Sequence, residues 1–321
     1  MDTIKWGIIG CGDVAEVKSG PAFQKITNSE LIAVMRRNNA KAKDFAERHK
    51  VPFWYDSVDD ILNHPEINAV YIATPPSTHL DIAKKCLAAG KFVYLEKPMT
   101  MNAKEAKTLE TFVKENHKIV VAHYRRYLPA FQKVKELLDT NSVGKVLFID
   151  ITILQSPTNN VIAKTDDNWR LRPETSGGGY FHDIAPHQID LLLHYFGNSK
   201  YTQGFSTSTE NNKVADLVNG IIEFENGVQF RGIWNFIASE KDVKDECKIY
   251  GEKGTITFSF YGEEVFLNTP HKKEVFSFDN PQHVQQPLID ATVKYFLGED
   301  KNPCSIENGV KVMEILDRFT S

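Results

Sequence analysis

Along the first 122 residues, short and nearly continuous apolar runs alternate with stretches whose apolar positions fall three and four apart. A continuous run suits a strand buried on both faces, and the 3.6-residue period suits a helix lying on it. The pattern predicts strands at Trp6–Ile9, Leu31–Met35, Val70–Ala73, Phe92–Leu95 and Ile119–Ala122. It predicts helices at Ala40–His49, Ser57–Asn63, Thr78–Ala89 (closed by Gly90) and Asn102–Asn116, besides a helical stretch after the first strand that breaks at Gly20-Pro21. Strand alternating with helix at this pace implies an α/β domain over residues 1–122, built on a parallel, doubly wound sheet.

The texture changes over residues 123–321. His123–Tyr127 leads through Pro129 into a helix, Ala130–Asp139. Strands follow at Val146–Leu154, Val218–Phe224, Val228–Phe236, Lys248–Tyr250, Thr255–Phe260 and Glu264–Leu267, with Asn226-Gly227 marking a hairpin. Runs of strands with few helices between them predict an α+β domain with a large, mostly antiparallel open sheet and helices on one face. Its other face would expose apolar side chains, which makes a sheet-to-sheet homodimer or homotetramer an expectation. A last helix, Ile306–Phe319, is expected to pack back against the first domain.

Composition removes several function classes. With 38 basic and 42 acidic side chains the formal charge is -4, against non-specific nucleic-acid binding. No apolar run approaches the ~20 residues of a membrane span, and the N-terminal residues enter a strand without a signal-peptide design. The four cysteines, Cys11, Cys86, Cys247 and Cys304, are scattered, so a reducing cytoplasm is expected and a structural zinc site is not.

Candidate chemistry collects at predicted strand ends. Gly10-Cys11-Gly12-Asp13-Val14-Ala15 follows the first strand and reads as a G-x-G-x-x-A fingerprint: Gly10 for the tight turn, Gly12 for approach to a pyrophosphate, small Ala15 for packing. The phosphate would sit on free N–H groups at the helix start. Thr74-Pro75 and His79 leave the Val70–Ala73 strand at the same edge, where Ser77 or Thr78 can cap the next helix. His79 either faces a cofactor or sits in the first helical turn. Glu96-Lys97-Pro98 leaves Phe92–Leu95 at the edge where open α/β sheets bind ligands. A lysine there can hydrogen-bond a ribose or substrate hydroxyl and favours oxygen carrying developing negative charge. Pro98 restricts Lys97 and can take a cis bond. After the second strand, where NAD enzymes carry an acid, stand Arg36-Arg37-Asn38, which favours NADP over NAD.

In the second half, Trp169-Arg170 precedes Gly177-Gly178-Gly179 and a helix reaching to about Tyr195. Asp183 and His187 are four apart and share one face of it, with Asp190 and His194 near that face. A histidine beside a carboxylate serves general acid–base work near neutral pH, although helical histidines are often structural. No Cys cluster or H-E-x-x-H pattern supports a metal.

Taken together, the glycine loop, Ala73–His79, Leu95–Met99 and Gly177–Asp190 resemble the Gfo/Idh/MocA oxidoreductases, in the expected order over nearly the whole chain. The resemblance implies an N-terminal Rossmann domain, a C-terminal domain whose open sheet often mediates dimerisation, and NAD(P)-linked chemistry on a sugar, polyol or related cyclic alcohol. It implies that Lys97 holds the nicotinamide ribose and the reacting hydroxyl, that His187 is the acid/base, and that Asp183 binds substrate. Trp169-Arg170 resembles a pair that approaches the cofactor in some members, and Arg125 and Glu96 fall among the implied cofactor contacts. Many relatives have Asn where this chain has Tyr124, so Tyr124 would line the substrate side in its place. Rival readings are a glycosidase of the same fold that uses NAD transiently and a non-catalytic nucleotide sensor. Those glycosidases tend to be longer and carry a different histidine motif, and an intact Lys97, Asp183 and His187 argues against a silent sensor.

Overall fold

The computed structural model describes residues 2–157, 168–209 and 212–321. In chain order the first elements are β1 (Ile4–Ile9), β2 (Ser29–Met35), α1 (Asn39–His49), β3 (Phe53–Tyr55), α2 (Val58–Asn63), β4 (Ala69–Ile72), α3 (His79–Ala88), β5 (Phe92–Leu95), α4 (Ala103–Phe112) and β6 (Ile119–Val121). There follow α5 (Pro129–Asp139), β7 (Val146–Leu154), α6 (Pro173–Ser176), α7 (Gly179–Phe196), β8 (Ser199–Thr207), β9 (Leu217–Phe224), β10 (Gln229–Asn235) and β11 (Lys244–Gly251). The chain ends through β12 (Gly254–Phe258), β13 (Glu264–Asn268), β14 (Lys273–Ser277), α8 (Gln286–Leu297) and α9 (Ile306–Thr320).

Two compact units result. The first comprises residues 1–125 and 281–311, the second residues 126–280 and 312–321. The expected single boundary after residue 122 is therefore replaced by a chain that returns: residues 281–311 join the first unit although the sequence assigns them to the second domain. The physical reason is the apolar face of α8. Phe296 packs on Trp6 at 5.7 Å and on Phe92 at 5.1 Å, both in the first sheet. The last helix belongs partly to each unit. Gly309 sits so close to Met99 that a Cβ would meet the sulfur at 2.7 Å, whereas Phe319 lies against Gly220 of the second unit, where a Cβ would meet the ring at 2.3 Å.

The first unit holds a six-stranded parallel sheet in the order β3-β2-β1-β4-β5-β6. Its central strands are buried on both faces, which is why they read as unbroken apolar runs. Two tyrosines interrupt that apolarity, Tyr71 on β4 and Tyr94 on β5, paired in register with rings 5.2 Å apart and fully buried. A buried phenol needs a hydrogen-bond partner. These two find theirs at the end of β5.

The second unit holds eight strands in the order β14-β13-β12-β11-β7-β10-β9-β8, antiparallel except for β7 beside β10. Ile149, Ile151 and Ile153 on β7 are fully buried, and Phe181 of α7 meets Trp234 of β10 edge-on at 5.2 Å. The sheet is longer than the sequence predicts at both ends. β8 and β14 are edge strands with no fully buried residue, so neither leaves an apolar alternation to read. β3 is too short to be recognised, and α4 stops at Phe112 rather than Asn116.

Candidate active site

In the first unit the candidate side chains stand on the carboxyl edge of the parallel sheet. Gly10, with φ +98°, makes the turn out of β1, and a Cβ on it would strike the Ala73 backbone at 2.8 Å. Gly12 is the opposite case: a Cβ there would meet nothing within 4 Å, so bare backbone faces open space. That is the cradle a pyrophosphate requires, and the loop fits the nucleotide that its pattern implies. The helix after it departs from the expected form. Asp13 and Val14 open a helical turn that widens into a π-helix over Ala15–Ser19, where the Gly20 N–H reaches back to the Ala15 carbonyl. Pro21 cannot continue the helix, and the chain passes into a 3₁₀ turn, Gly20–Gln24. Ser19, at the end of the π-turn, is buried and donates to the Tyr71 hydroxyl at 3.0 Å.

At the end of β2, Arg36 is half-buried and its guanidinium approaches the Cys11 carbonyl of the glycine loop at 3.4 Å, while Arg37 is exposed. Burial pushes the Cys11 thiol up to about 11, with Arg36 opposing. Asn38 caps α1 by accepting from the Lys41 N–H at 3.1 Å. The acids nearest in sequence are engaged elsewhere, Asp44 with Arg48 and Asp56 with Asn39.

Beyond β4, Thr74 accepts from the Thr78 hydroxyl at 2.7 Å. The same Thr78 hydroxyl lies 2.9 Å from the Pro75 carbonyl inside its own turn and does not cap α3 as expected; Ser77 does not cap it either. His79 is fully buried, with Nε2 at 2.7 Å from the Thr74 carbonyl and Nδ1 at 3.0 Å from the Pro98 carbonyl. Burial lowers its pKa, with those carbonyls opposing. His79 stands in the first turn of α3, where the ring ties the Thr74 loop to the Pro98 loop.

Lys97 follows β5, is half-buried, and is joined to Pro98 by a cis peptide bond. Glu96 turns inward. It is 5% exposed, and its Oε1 accepts from the Tyr71 hydroxyl and from Gln285 Nε2, both at 2.6 Å. Its Oε2 accepts from the Lys97 backbone N–H at 3.1 Å. The Glu96 side chain is thus engaged by protein donors, a role that sequence reasoning did not give it. Tyr94 donates to Gln285 Oε1 at 2.9 Å. Burial, then the Glu96 charge, drives both tyrosine pKa values well up, so both phenols stay protonated donors.

On the neighbouring strand, the Ala122 N–H bonds the Leu95 carbonyl at 2.8 Å, which brings Tyr124 and Arg125 to the same edge as Lys97. Tyr124 is buried, with the Arg125 guanidinium 5.6 Å from its ring centroid. Burial alone would raise its phenol; Arg125, Lys18 and Lys97 outweigh that and hold it below its ordinary value, with Glu96 opposing. The phenol therefore lies in a positive field to which Lys97 contributes.

In the second unit α7 carries the other candidates. Gly177 and Gly179 take positive φ, and a Cβ on Gly179 would meet Val214 at 2.6 Å, so the glycines are needed for the turn into the helix. Asp183 accepts from Arg170 Nε at 2.8 Å, and the Arg170 guanidinium stacks on Trp169 at 4.6 Å. Trp169 and Arg170 are thereby joined to Asp183 inside the second unit. His187, one helical turn beyond Asp183, is 3% exposed. One turn further, Asp190 makes a bidentate pair with Arg126 at 2.7 and 2.6 Å, both side chains buried. Removing one partner of such a pair typically costs about 3–5 kcal/mol, so this pair anchors α7. His194 lies in the next turn, where burial and then Arg126 push its pKa down to about 4.

Among the described residues, no cluster of His, Cys, Asp or Glu could hold a metal ion, and no helix is long and apolar enough to cross a membrane. Tyr71, Gln285 and Arg126 went unnoticed in the sequence because buried polar partners carry no local pattern.

Residues 4–124 match the NAD-binding Rossmann-fold domain of the Gfo/Idh/MocA oxidoreductase family, and residues 131–257 match the family's C-terminal domain. "Oxidoreductase P35" of Formosa agariphila is 54% identical over 317 residues, 98% of each chain. The NADP(+)-dependent scyllo-inositol 2-dehydrogenase of Bacillus subtilis is 30% identical over 227 residues, 70% of this chain and 61% of that protein. A levoglucosan dehydrogenase solved with NADH and levoglucosan shares the fold with a TM-score of 0.87 at 20% identity, covering 99% of this chain and 96% of that one. The chain therefore belongs to the Gfo/Idh/MocA family of NAD(P)-dependent oxidoreductases.

Proposed function

We propose that the protein transfers a hydride between a nicotinamide cofactor and a sugar, polyol or related cyclic alcohol or ketone, with Lys97 and His187 handling the proton. The observation that carries this reading is the edge of the first sheet. There the Gly10 turn abuts Ala73, His79 links Thr74 to Pro98, and Lys97 stands beside Tyr124 and Arg125. The substrate class is supported by the names of the relatives, which act on an inositol and on levoglucosan. Bound nicotinamide would supply the hydride acceptor or donor at its C4 carbon.

The chain's own residues would do the rest. Gly12 offers bare backbone for the pyrophosphate, and the Lys97 ammonium stabilises alkoxide character on the reacting oxygen while bonding the ribose. His187 moves the proton, and Asp183, steadied by Arg170, orients substrate hydroxyls. Thr74, Pro75 and Arg125 line the cofactor side, and Tyr124 the substrate side. Absorbance of reduced nicotinamide, followed with NAD and NADP against levoglucosan, scyllo-inositol and other cyclic polyols, tests the reading. Turnover with at least one such alcohol is expected; turnover confined to acyclic substrates would overturn the substrate class.

The cofactor in this reading is NADP in preference to NAD. Arg36 and Arg37 end β2 where an acid would bond a ribose 2′-hydroxyl, and a guanidinium clamps a 2′-phosphate with paired hydrogen bonds. NADPH is expected to bind more tightly than NADH at moderate salt. Arg36→Asp should weaken NADPH by about 10–100-fold and NADH by less. Equal binding of both nucleotides by titration of the apo protein would reject the preference.

Assembly as a homodimer or homotetramer through the second sheet completes the proposal. Strand register lines up Gln203, Ile221, Arg231, Asp150, Lys248, Thr257, Phe266 and Val275 in one row across the face away from Ile149 and Ile151. Ile221, Phe266 and Val275 in that row are exposed, as is Phe205 beside it. Light scattering is expected to give an oligomer for the native chain and a monomer for Phe205→Glu combined with Ile221→Glu. A monomeric native chain would count against it.

A further inference from the structure

We infer that Gln285 is a positioning residue for Lys97, acting through Glu96; the inference rests on the proposed role of Lys97. Gln285 stands just before α8 and is fully buried, 189 positions along the chain from Glu96. Every polar atom of its side chain is committed: Oε1 accepts from the Tyr94 hydroxyl at 2.9 Å, and Nε2 donates to Glu96 Oε1 at 2.6 Å. Its backbone N–H bonds the Lys18 carbonyl at 3.2 Å. Two residues earlier, His283 Nδ1 lies 3.0 Å from the Val17 carbonyl, so the segment is bolted to the π-turn that follows the glycine loop.

The chemistry of the position selects glutamine. A carboxylate can only accept, which fixes the amide with its NH₂ towards Glu96 and its oxygen towards Tyr94. A glutamate would set a second carboxylate against the first, and an apolar residue would leave two buried polar groups short of a partner. Tyr71 and Gln285 hold one oxygen of Glu96 from two sides, which aims the other at the Lys97 N–H. That bond fixes the backbone from which the Lys97 side chain departs. Gln285 thereby links the returning segment, residues 281–311, to the carboxylate that holds the lysine's backbone.

The test uses the full chain labelled with ¹⁵N-lysine. In Gln285→Met, amide hydrogen exchange at Lys97 is expected to quicken about tenfold, the effect of one weakened hydrogen bond. Lys5 and Lys91, whose amides bond Asn68 and Cys86, should keep their native rates. Turnover of whichever cyclic polyol the native chain oxidises should show kcat falling by up to about 10²-fold with little change in KM. That fall should vanish in a Lys97→Met background. Unchanged exchange at Lys97, or equal acceleration at all three lysines, would overturn the inference. If Gln285→Met does not fold, Tyr94→Phe, which frees the glutamine oxygen, decides by the same exchange measurement. If Lys97→Met turns over at the native rate, the role of Lys97 fails instead, and the exchange result still stands or falls separately.

Discussion

Lys97→Met is expected to fold, to bind NADPH, and to lose about 10²–10³-fold in kcat, the usual cost of removing one charged donor from a reacting oxygen. Methionine matches the length of the lysine stem, and the site is half-buried, so the change removes a charge without opening a cavity. The backbone bond from residue 97 to Glu96 does not involve the side chain and survives. Nucleotide affinity should fall little, because the glycine cradle and the β2 arginines are untouched. The Tyr124 phenol, which Lys97 helps to hold down, should titrate higher in the variant. Steady-state kinetics with parallel NADPH titration measures both effects. A variant that kept more than about a tenth of the native kcat would make Lys97 structural.

His187→Ala and His194→Ala should separate cleanly. General acid–base groups contribute about 10²–10⁴-fold, so the first variant is expected to lose that much in kcat at a temperature where it remains folded. His194 stands two turns further along α7, next to the Asp190–Arg126 pair, and its replacement should act on stability. The sign of its pH effect follows from burial. Folding holds the His194 ring neutral down to about 4, whereas the unfolded ring takes a proton near 6.5. Between those values the unfolded chain binds the extra proton, so His194 lowers stability as pH falls through that window and contributes no such loss above it. His194→Ala should therefore be less stable at neutral pH and lose less on acidification. Equal kinetic losses in two equally stable variants would undo the assignment of His187.

What the sequence disclosed follows burial. β5 and β7 were legible to the residue, because strands beside buried neighbours must be apolar in period or in run. β8 and β14 were not, since an edge strand without a buried residue has no such constraint. The glycine loop announced itself through its spacing: at Gly10 the positive φ and the nearby Ala73 backbone demand glycine, whereas a Cβ on Gly12 would meet nothing within 4 Å. The support of Lys97 stayed hidden for another reason. Gln285 comes from a segment assigned to the wrong domain, and a buried amide between two partners has no neighbours in sequence that betray it. His79 and Glu96 show the same limit: their position at the strand ends was legible, but the direction of each side chain was not.

Net hydride transfer between nicotinamide and a cyclic substrate can be followed by supplying the chain with NADPH deuterated at the transferring C4 position and the ketone of a cyclic polyol that it turns over. Mass spectrometry of the product is expected to find one deuterium on the former carbonyl carbon, with oxidised nucleotide formed in equal amount. Product without the label, or turnover with no net oxidation of the nucleotide, as in transient use of the cofactor for glycoside cleavage, would contradict the account.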